Sequence, residues 1–445
     1  GDFTASQFQT YTQQDIANAL GVRTPVPFNA DRNYRVANIL LTVGSPTQAE
    51  IDQFDTEIEL FSRGGTDSDP NIYNFWEATG GRATLQGGGL HQYLPNGGVV
   101  NSFLSVGADN LRVNGYSVTS PLGYDPSRVV SPTPSLTEFM GDNPGEIRTV
   151  MSDVNGDTIP DFIMASGPGP QTRFAVYDGV LNGGWVVTPH TPFRGSEDFT
   201  GGAYVSAGDL DLDGVSEIIV TADTGGGPRV VVFNFRSGDG LQINVDFLGL
   251  ADANFRGGAR TAVGDINGDG FNDLAVVAGT GGGPRTVVYS GVNLFTTRTK
   301  LLNDFFAFPG MDSVRLRNGA FVSSGDVNGD GYDDLVFGGG PGGAARVFAI
   351  SGFRLTTTTL ASAQSNPIAN FFVAGNTEDR GGVRVAVKNV DNDGRGDIVV
   401  GSGANSASRV RIYRGLSFFG SAGEPAPLQS FDPFNSVVPG GVYVG

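Results

Sequence analysis

Short apolar runs bounded by glycine-rich turns recur through residues 145–445. Before the acidic stretch that begins at Asp265 the chain reads GGARTAVG, and after it LAVVAG. The same pairing returns as GEIRTVMS with FIMASG, GGAYVSAG with IIVTAD, NGAFVSSG with LVFGGG, and GGVRVAVK with IVVGSG. Alternation, β-branched residues and runs too short for helices predict strands. A glycine-rich turn ending in arginine then opens a third strand, as in TGGGPRVVVF and TGGGPRTVVY, and a phenylalanine-rich segment such as NDFFAF or NFFVAG closes the unit. Five such units are predicted near residues 145–200, 201–256, 257–317, 318–380 and 381–438. A lone four-stranded sheet cannot bury two apolar faces, so tandem units must stack around an axis. The expected fold class is therefore all-β: a β-propeller over 126–445, with six blades and seven left open, preceded by a small β-rich N-terminal domain over 1–125.

The N-terminal region lacks the repeat. TYTQQDIANALG (10–21) reads as a short helix, and YRVANILLTV (34–43) and TEIELFS (56–62) as strands. In the segment 99–118 the Asn114-Gly115 pair predicts a hairpin turn. At the far end PGGVYVG (439–445) matches the first strand of a blade, while PSLTEF (134–139) resembles a last strand. Three arrangements are open. Residues 99–140 can supply strands two to four of a closing blade whose first strand is 440–445. That edge can instead stay free for another molecule, giving self-assembly. The natural chain can also continue beyond 445. Because it begins with Gly1 rather than Met, the chain reads as processed, with any signal peptide already removed.

Between the first two strands of each unit lies an acidic nonapeptide: DVNGDTIPD, DLDLDGVSE, DINGDGFND, DVNGDGYDD and NVDNDGRGD. Oxygen donors without nitrogen or sulfur suit calcium. In the third loop Asp265, Asn267 and Asp269 take positions 1, 3 and 5, Gly270 permits a sharp turn, Phe271 offers a carbonyl, and Asp273 closes the set. The matching positions are Asp153, Asn155, Asp157, Ile159 and Asp161 in loop one, and Asp209, Asp211, Asp213, Val215 and Glu217 in loop two. In loop four they are Asp326, Asn328, Asp330, Tyr332 and Asp334. In loop five they are Asn389, Asp391, Asp393, Arg395 and Asp397, with a neutral residue first and weaker binding expected. Thr158 stands in loop one where the turn favours glycine. A helix–loop–helix calcium site needs a bidentate Glu at position 12, which is Val276 here, so that reading fails.

With its five acidic loops, the preceding strand GGARTAVGD and the GGGP turns, the chain resembles the FG-GAP repeat family of integrin α-chain heads and many bacterial secreted proteins. The resemblance covers about residues 140–445. It implies a propeller holding up to five Ca²⁺ in these loops, with the opposite face available for ligands. It says nothing firm about biological role.

Composition narrows the function. The formal net charge of −18 argues against nucleic acid and anionic membrane surfaces as partners. With no cysteine, disulfides, thiol catalysis and thiolate zinc sites are excluded. No apolar run is long enough for a membrane-spanning helix. Absent Asn-x-Ser/Thr sequons fit a bacterial product at least as well as a eukaryotic one. No nucleophile elbow, phosphate loop or zinc-protease motif appears, so no enzyme is expected. Arg173, Arg229, Arg285, Arg346 and Arg409 recur after the second strands. They read either as structural pairings or as a ligand face for carboxylates or anionic sugars. Arg395-Gly396-Asp397 spells an adhesion tripeptide, but Asp397 is already assigned to the metal. The expectation is a secreted or cell-surface scaffold for adhesion or filament assembly, partnered by protein or glycan. The alternatives are a lectin-like module and, further off, a secreted lyase or phosphodiesterase.

Overall fold

The computed structural model describes residues 145–445 except 158, 180–183, 237, 311–315 and 392, together with segments 92–93, 99–100, 103–108, 112–120, 123–130 and 133–141. The helix and strands expected within 1–62 lie outside the described residues.

Six four-stranded antiparallel sheets form the blades of a β-propeller. Blade one comprises Ile147–Ser152, Asp161–Ser166, Phe174–Tyr177 and Trp185–His190. Blades two to five repeat this order, with first strands Ala203–Gly208, Ala259–Gly264, Ala320–Gly325 and Arg384–Lys388. In blade six Tyr443–Val444 pairs with Phe103–Ala108, followed by Arg112–Ser120 and Gly123–Val130. The ring therefore closes by joining strands more than three hundred residues apart.

The second strands of the first five blades are buried at every residue. That burial explains their unbroken apolar runs, because each sheet is covered on both faces by its neighbours. Six separate cores follow, one between each pair of adjacent blades. Ile163, Val176, Ile218 and Val231 meet between blades one and two, and Val277, Val288, Leu335 and Phe348 between three and four. The sixth core joins Val113 of blade six to Ile147, Phe162 and Met164 of blade one.

Two local expectations are corrected. The segment 134–139 is not a last strand: Thr133–Met140 is an α-helix. Leu136, Phe139 and Met140 enter the sixth core from it, an i, i+3, i+4 set that alternation cannot produce. Asn114-Gly115 is not a hairpin turn but lies inside the strand Arg112–Ser120. Gly115 serves packing instead, since a Cβ there would stand 2.6 Å from the Phe162 ring.

Around the axis, the residue five before each acidic loop alternates between arginine and aromatic: Arg148, Tyr204, Arg260, Phe321, Arg384 and, in the equivalent place of blade six, Tyr443. The aromatic centroids stand 6.1–6.3 Å apart. Each guanidinium lies over two of these rings at 3.8–5.4 Å. This ring closes the axis on the side away from the acidic loops.

Candidate functional site

Each acidic loop connects the first strand of a blade to the second, and its closing acid is the first residue of that second strand. The acid pairs with the last residue of strand one: Asp161 with Ser152, Glu217 with Gly208, Asp273 with Gly264, Asp334 with Gly325 and Asp397 with Lys388. All five closing carboxylates are buried. One oxygen of each accepts the N–H of loop position 2, from Val154, Leu210, Ile266, Val327 and Val390, at 2.7–3.1 Å. In four blades the other oxygen accepts a glycine N–H from beyond the third strand: Gly179, Gly291, Gly352 and Gly415. Asn234 Nδ2 does this in blade two, at 3.2 Å. A carboxylate oxygen with one donor keeps a further lone pair.

The loop interiors share one architecture. Position 7 donates its N–H to the position 5 carboxylate in all five, through Ile159, Val215, Phe271, Tyr332 and Arg395. Asp265 Oδ1 accepts from Gly268 and Asp269, and its Oδ2 from Gly270. Asp326 repeats this with Gly329, Asp330 and Gly331. Asp153 accepts from Asn155 and Gly156. Position 6 takes a left-handed backbone at Gly214, Gly270, Gly331 and Gly394, with φ between 81° and 91°, which glycine adopts without strain. Thr158, the exception in loop one, lies outside the described residues.

Several buried polar atoms of the loops have no hydrogen-bond partner. Asp209 Oδ1, Asn328 Oδ1, Asp391 Oδ1 and both amide atoms of Asn389 are buried and unpartnered. In loop two Asp209, Asp211 and Glu217 bring carboxylate oxygens within 4.8 Å of one another. Burial pushes Asp161, Glu217 and Asp273 up to about 8 and Asp397 to about 7, and neighbouring loop carboxylates add to the shift. Asp209 and Asp265 rise to about 6 for the same reasons, and Asp334 rises well above its ordinary value. Buried, mutually repelling oxygens with spare lone pairs fit a hard divalent cation, which would reverse these shifts. Loop five differs in that Arg414 Nε lies 2.8 Å from Asp391 Oδ2, a fixed cation competing for one donor.

Sequence reasoning missed the links between loops. The residue at position 8 reaches the backbone carbonyl of position 1 in the preceding loop. Ser216 N contacts Asp153 O, Asn272 Nδ2 contacts Asp209 O, Asp333 N contacts Asp265 O and Gly396 N contacts Asp326 O, all at 2.7–2.9 Å. Asp333 is the unusual member. It is buried, and its Oδ2 accepts the N–H of Asp265 at 3.0 Å. An acid at position 8, where the other loops carry Pro160, Ser216, Asn272 and Gly396, was the signal available.

The recurring arginines bind within their own blades and, at Arg229 and Arg346, also reach the preceding unit, at Arg194 O and the Phe308 ring respectively. Arg229 pairs with Asp246 and Arg285 with Asp304. Arg173 Nε donates to Gln171 and Arg346 Nε to Asn370, at 3.1 and 3.0 Å. The backbone N–H of Arg409 donates to Ser402 Oγ. In the Arg-Gly-Asp tripeptide, Asp397 is 0% exposed and Arg395 reaches back to the carbonyl of Asn328 in loop four. His190 stacks edge-on against Phe174 at 5.9 Å. No helix among the described residues is long and apolar enough to cross a membrane.

Comparison with known proteins places these features in context. An Agrocybe aegerita lectin, whose structure is described as recognising non-reducing terminal N-acetylglucosamine, is 13% identical, with a TM-score of 0.39 over 80% of this chain and 98% of that one. The rhamnogalacturonan lyase YesW is 13% identical, with a TM-score of 0.33 over 75% of this chain and 59% of its own. A Bacillus licheniformis rhamnogalacturonan lyase is 16% identical, with a TM-score of 0.32 over 74% and 60%. Residues 257–291 match the family model of the FG-GAP repeat, a span holding the first three strands of blade three and its acidic loop. This segment is an FG-GAP repeat, built as one blade of a six-bladed β-propeller.

Proposed function

We propose that the protein is an extracellular, non-catalytic scaffold whose blades are held rigid by calcium and whose propeller surface serves adhesion or surface assembly with a protein or glycan partner. The observation that carries this reading is the set of buried loop oxygens without donors, at Asp209, Asn328, Asn389 and Asp391. A buried polar atom left unpaired is costly, and a hard cation satisfies several at once. Positions 1, 3 and 5 and the closing acid would hold the ion, with the position 7 carbonyl completing the set. The ion supplies charge neutralisation. Five of them would move the formal charge from −18 to −8, relieving repulsion within each loop and between loops linked through position 8.

Calcium removal tests the reading. At extracellular-module affinities of about 10⁻⁴–10⁻³ M, millimolar calcium adds roughly 0.4–1.4 kcal/mol per site. Five sites then supply about 2–7 kcal/mol of a typical total of about 5–15. Chelation with EGTA is expected to lower the melting temperature and open the loops to protease. An unchanged melting curve would refute the calcium reading.

A further inference from the structure

The first strands of the six blades enclose a well of about 270 Å³ on the propeller axis, on the side of the acidic loops. Its deepest layer is Thr149, Val205, Thr261, Val322, Val385 and Val444. The arginine–aromatic ring lies one residue beneath, so the well ends blind. One residue before the acidic loop, blades one to four carry Ser152, Gly208, Gly264 and Gly325. At the three glycines a Cβ would stand 2.3–2.5 Å from Val263, Asp333 or Val387 of the next blade, so neighbouring blades pack closely there. Blade five places Lys388 there, and it lines the well.

We propose that this axial well binds a small monocarboxylate, with the Lys388 ammonium as its counter-charge and wall hydroxyls as hydrogen-bond donors. Lys388 has no side-chain hydrogen bond or ion pair among the described residues, whereas Lys300 is paired with Asp304 at 2.5 Å. The acids of the wall are engaged elsewhere: Asp153 accepts from Asn155 and Gly156, and Asp333 Oδ2 from Asp265 N. Hydroxyls are to spare. Thr149 Oγ1 is buried without a partner. Ser323 Oγ accepts from Val387 N and keeps its proton to donate. Ser206 and Thr261 share one hydrogen bond, leaving one proton free. One ammonium and several O–H donors match one carboxylate. A dianion would meet a single cation with Asp153 and Asp333 close by, and an uncharged ligand would leave Lys388 without a counter-ion.

The chain has only two lysines, so NMR of the full-length protein with isotope-labelled lysine side chains resolves the site directly. Lys300→Arg assigns the two signals. Titration with acetate and with D-glucuronate is expected to move the Lys388 signal saturably while leaving Lys300 in place. In calorimetry, Lys388→Met is expected to weaken the bound carboxylate at least about ten-fold, and Lys388→Arg to retain it. If neither probe moves the Lys388 signal, or if affinity survives in Lys388→Met, the well holds water only and the proposal is overturned.

Discussion

Asp161, Glu217 and Asp273 sit at the starts of their second strands with carboxyls pushed up to about 8. Their titration gives metal-free protein a definite pH dependence. Between the unfolded carboxylate pKa near 4 and the folded value, the native state binds more protons than the unfolded state, so stability falls as pH rises. Metal-free protein is therefore expected to melt higher at pH 5 than at pH 8. Calcium needs the deprotonated oxygens, so its stabilising increment is expected to be larger at pH 8. Calorimetric melts at both pH values, with EGTA and with calcium, check both signs. A second residue-scale feature is Leu212, at position 4 of loop two with φ 62°, where Gly156, Gly268 and Gly329 hold φ of 71–78°. A side chain there costs about 1–2 kcal/mol, partly offset by the greater unfolded-state freedom of glycine. Leu212→Gly is expected to gain up to about 1 kcal/mol in urea unfolding, and Gly270→Ala to lose about 1–2 kcal/mol.

At the scale of elements, the buried second strands were legible because burial on both faces demands a continuous apolar run. The closing acids were legible because each ends a nine-residue loop of fixed pattern. The helix Thr133–Met140 was not legible as a helix, since eight residues are too short a window for one i, i+3, i+4 apolar set to stand out as a helical period. Asn114-Gly115 misled for a related reason: a glycine demanded by the Phe162 ring looks, in sequence, like one demanded by a turn. The axial ring is an element-scale device assembled from one residue per blade. Phe321 packs beneath both Arg260 and Arg384, 4.2 and 4.9 Å from their guanidinium carbons. Phe321→Ala is expected to cost about 3–5 kcal/mol in denaturant unfolding, since it leaves a cavity between two buried cations.

For the whole molecule, closure depends on a short pairing, Tyr443 with Gly107 and Val444 with Val106. Gly445 extends it through backbone bonds to Ser105 of 2.8 and 3.1 Å. Antiparallel partners lie about 4.5–5.5 Å apart at Cα, within the span of a disulfide. In a chain without cysteine, the double substitution Val106→Cys and Val444→Cys forms one defined bridge. It is expected to stabilise the protein by about 2–4 kcal/mol, an effect abolished by reductant. Equal melting temperatures in the oxidised and reduced forms would mean that the closing seam is not where the propeller opens.

By itself the sequence determined the unit: four strands, an acidic oxygen-only loop, and the turn glycines that let it bend. Those features are local, because strand period, turn chemistry and donor spacing act over a few residues. Only the tertiary structure decided that there are six blades, that Phe103–Val130 and Tyr443–Val444 complete the last, and that Arg229 and Arg285 form ion pairs with Asp246 and Asp304. It alone aligned Arg148, Tyr204, Arg260, Phe321, Arg384 and Tyr443 around one axis, and left Lys388 facing a well. Such relations join residues tens to hundreds of positions apart, and nothing in the spacing of one blade encodes which side chains the neighbouring blade brings to it.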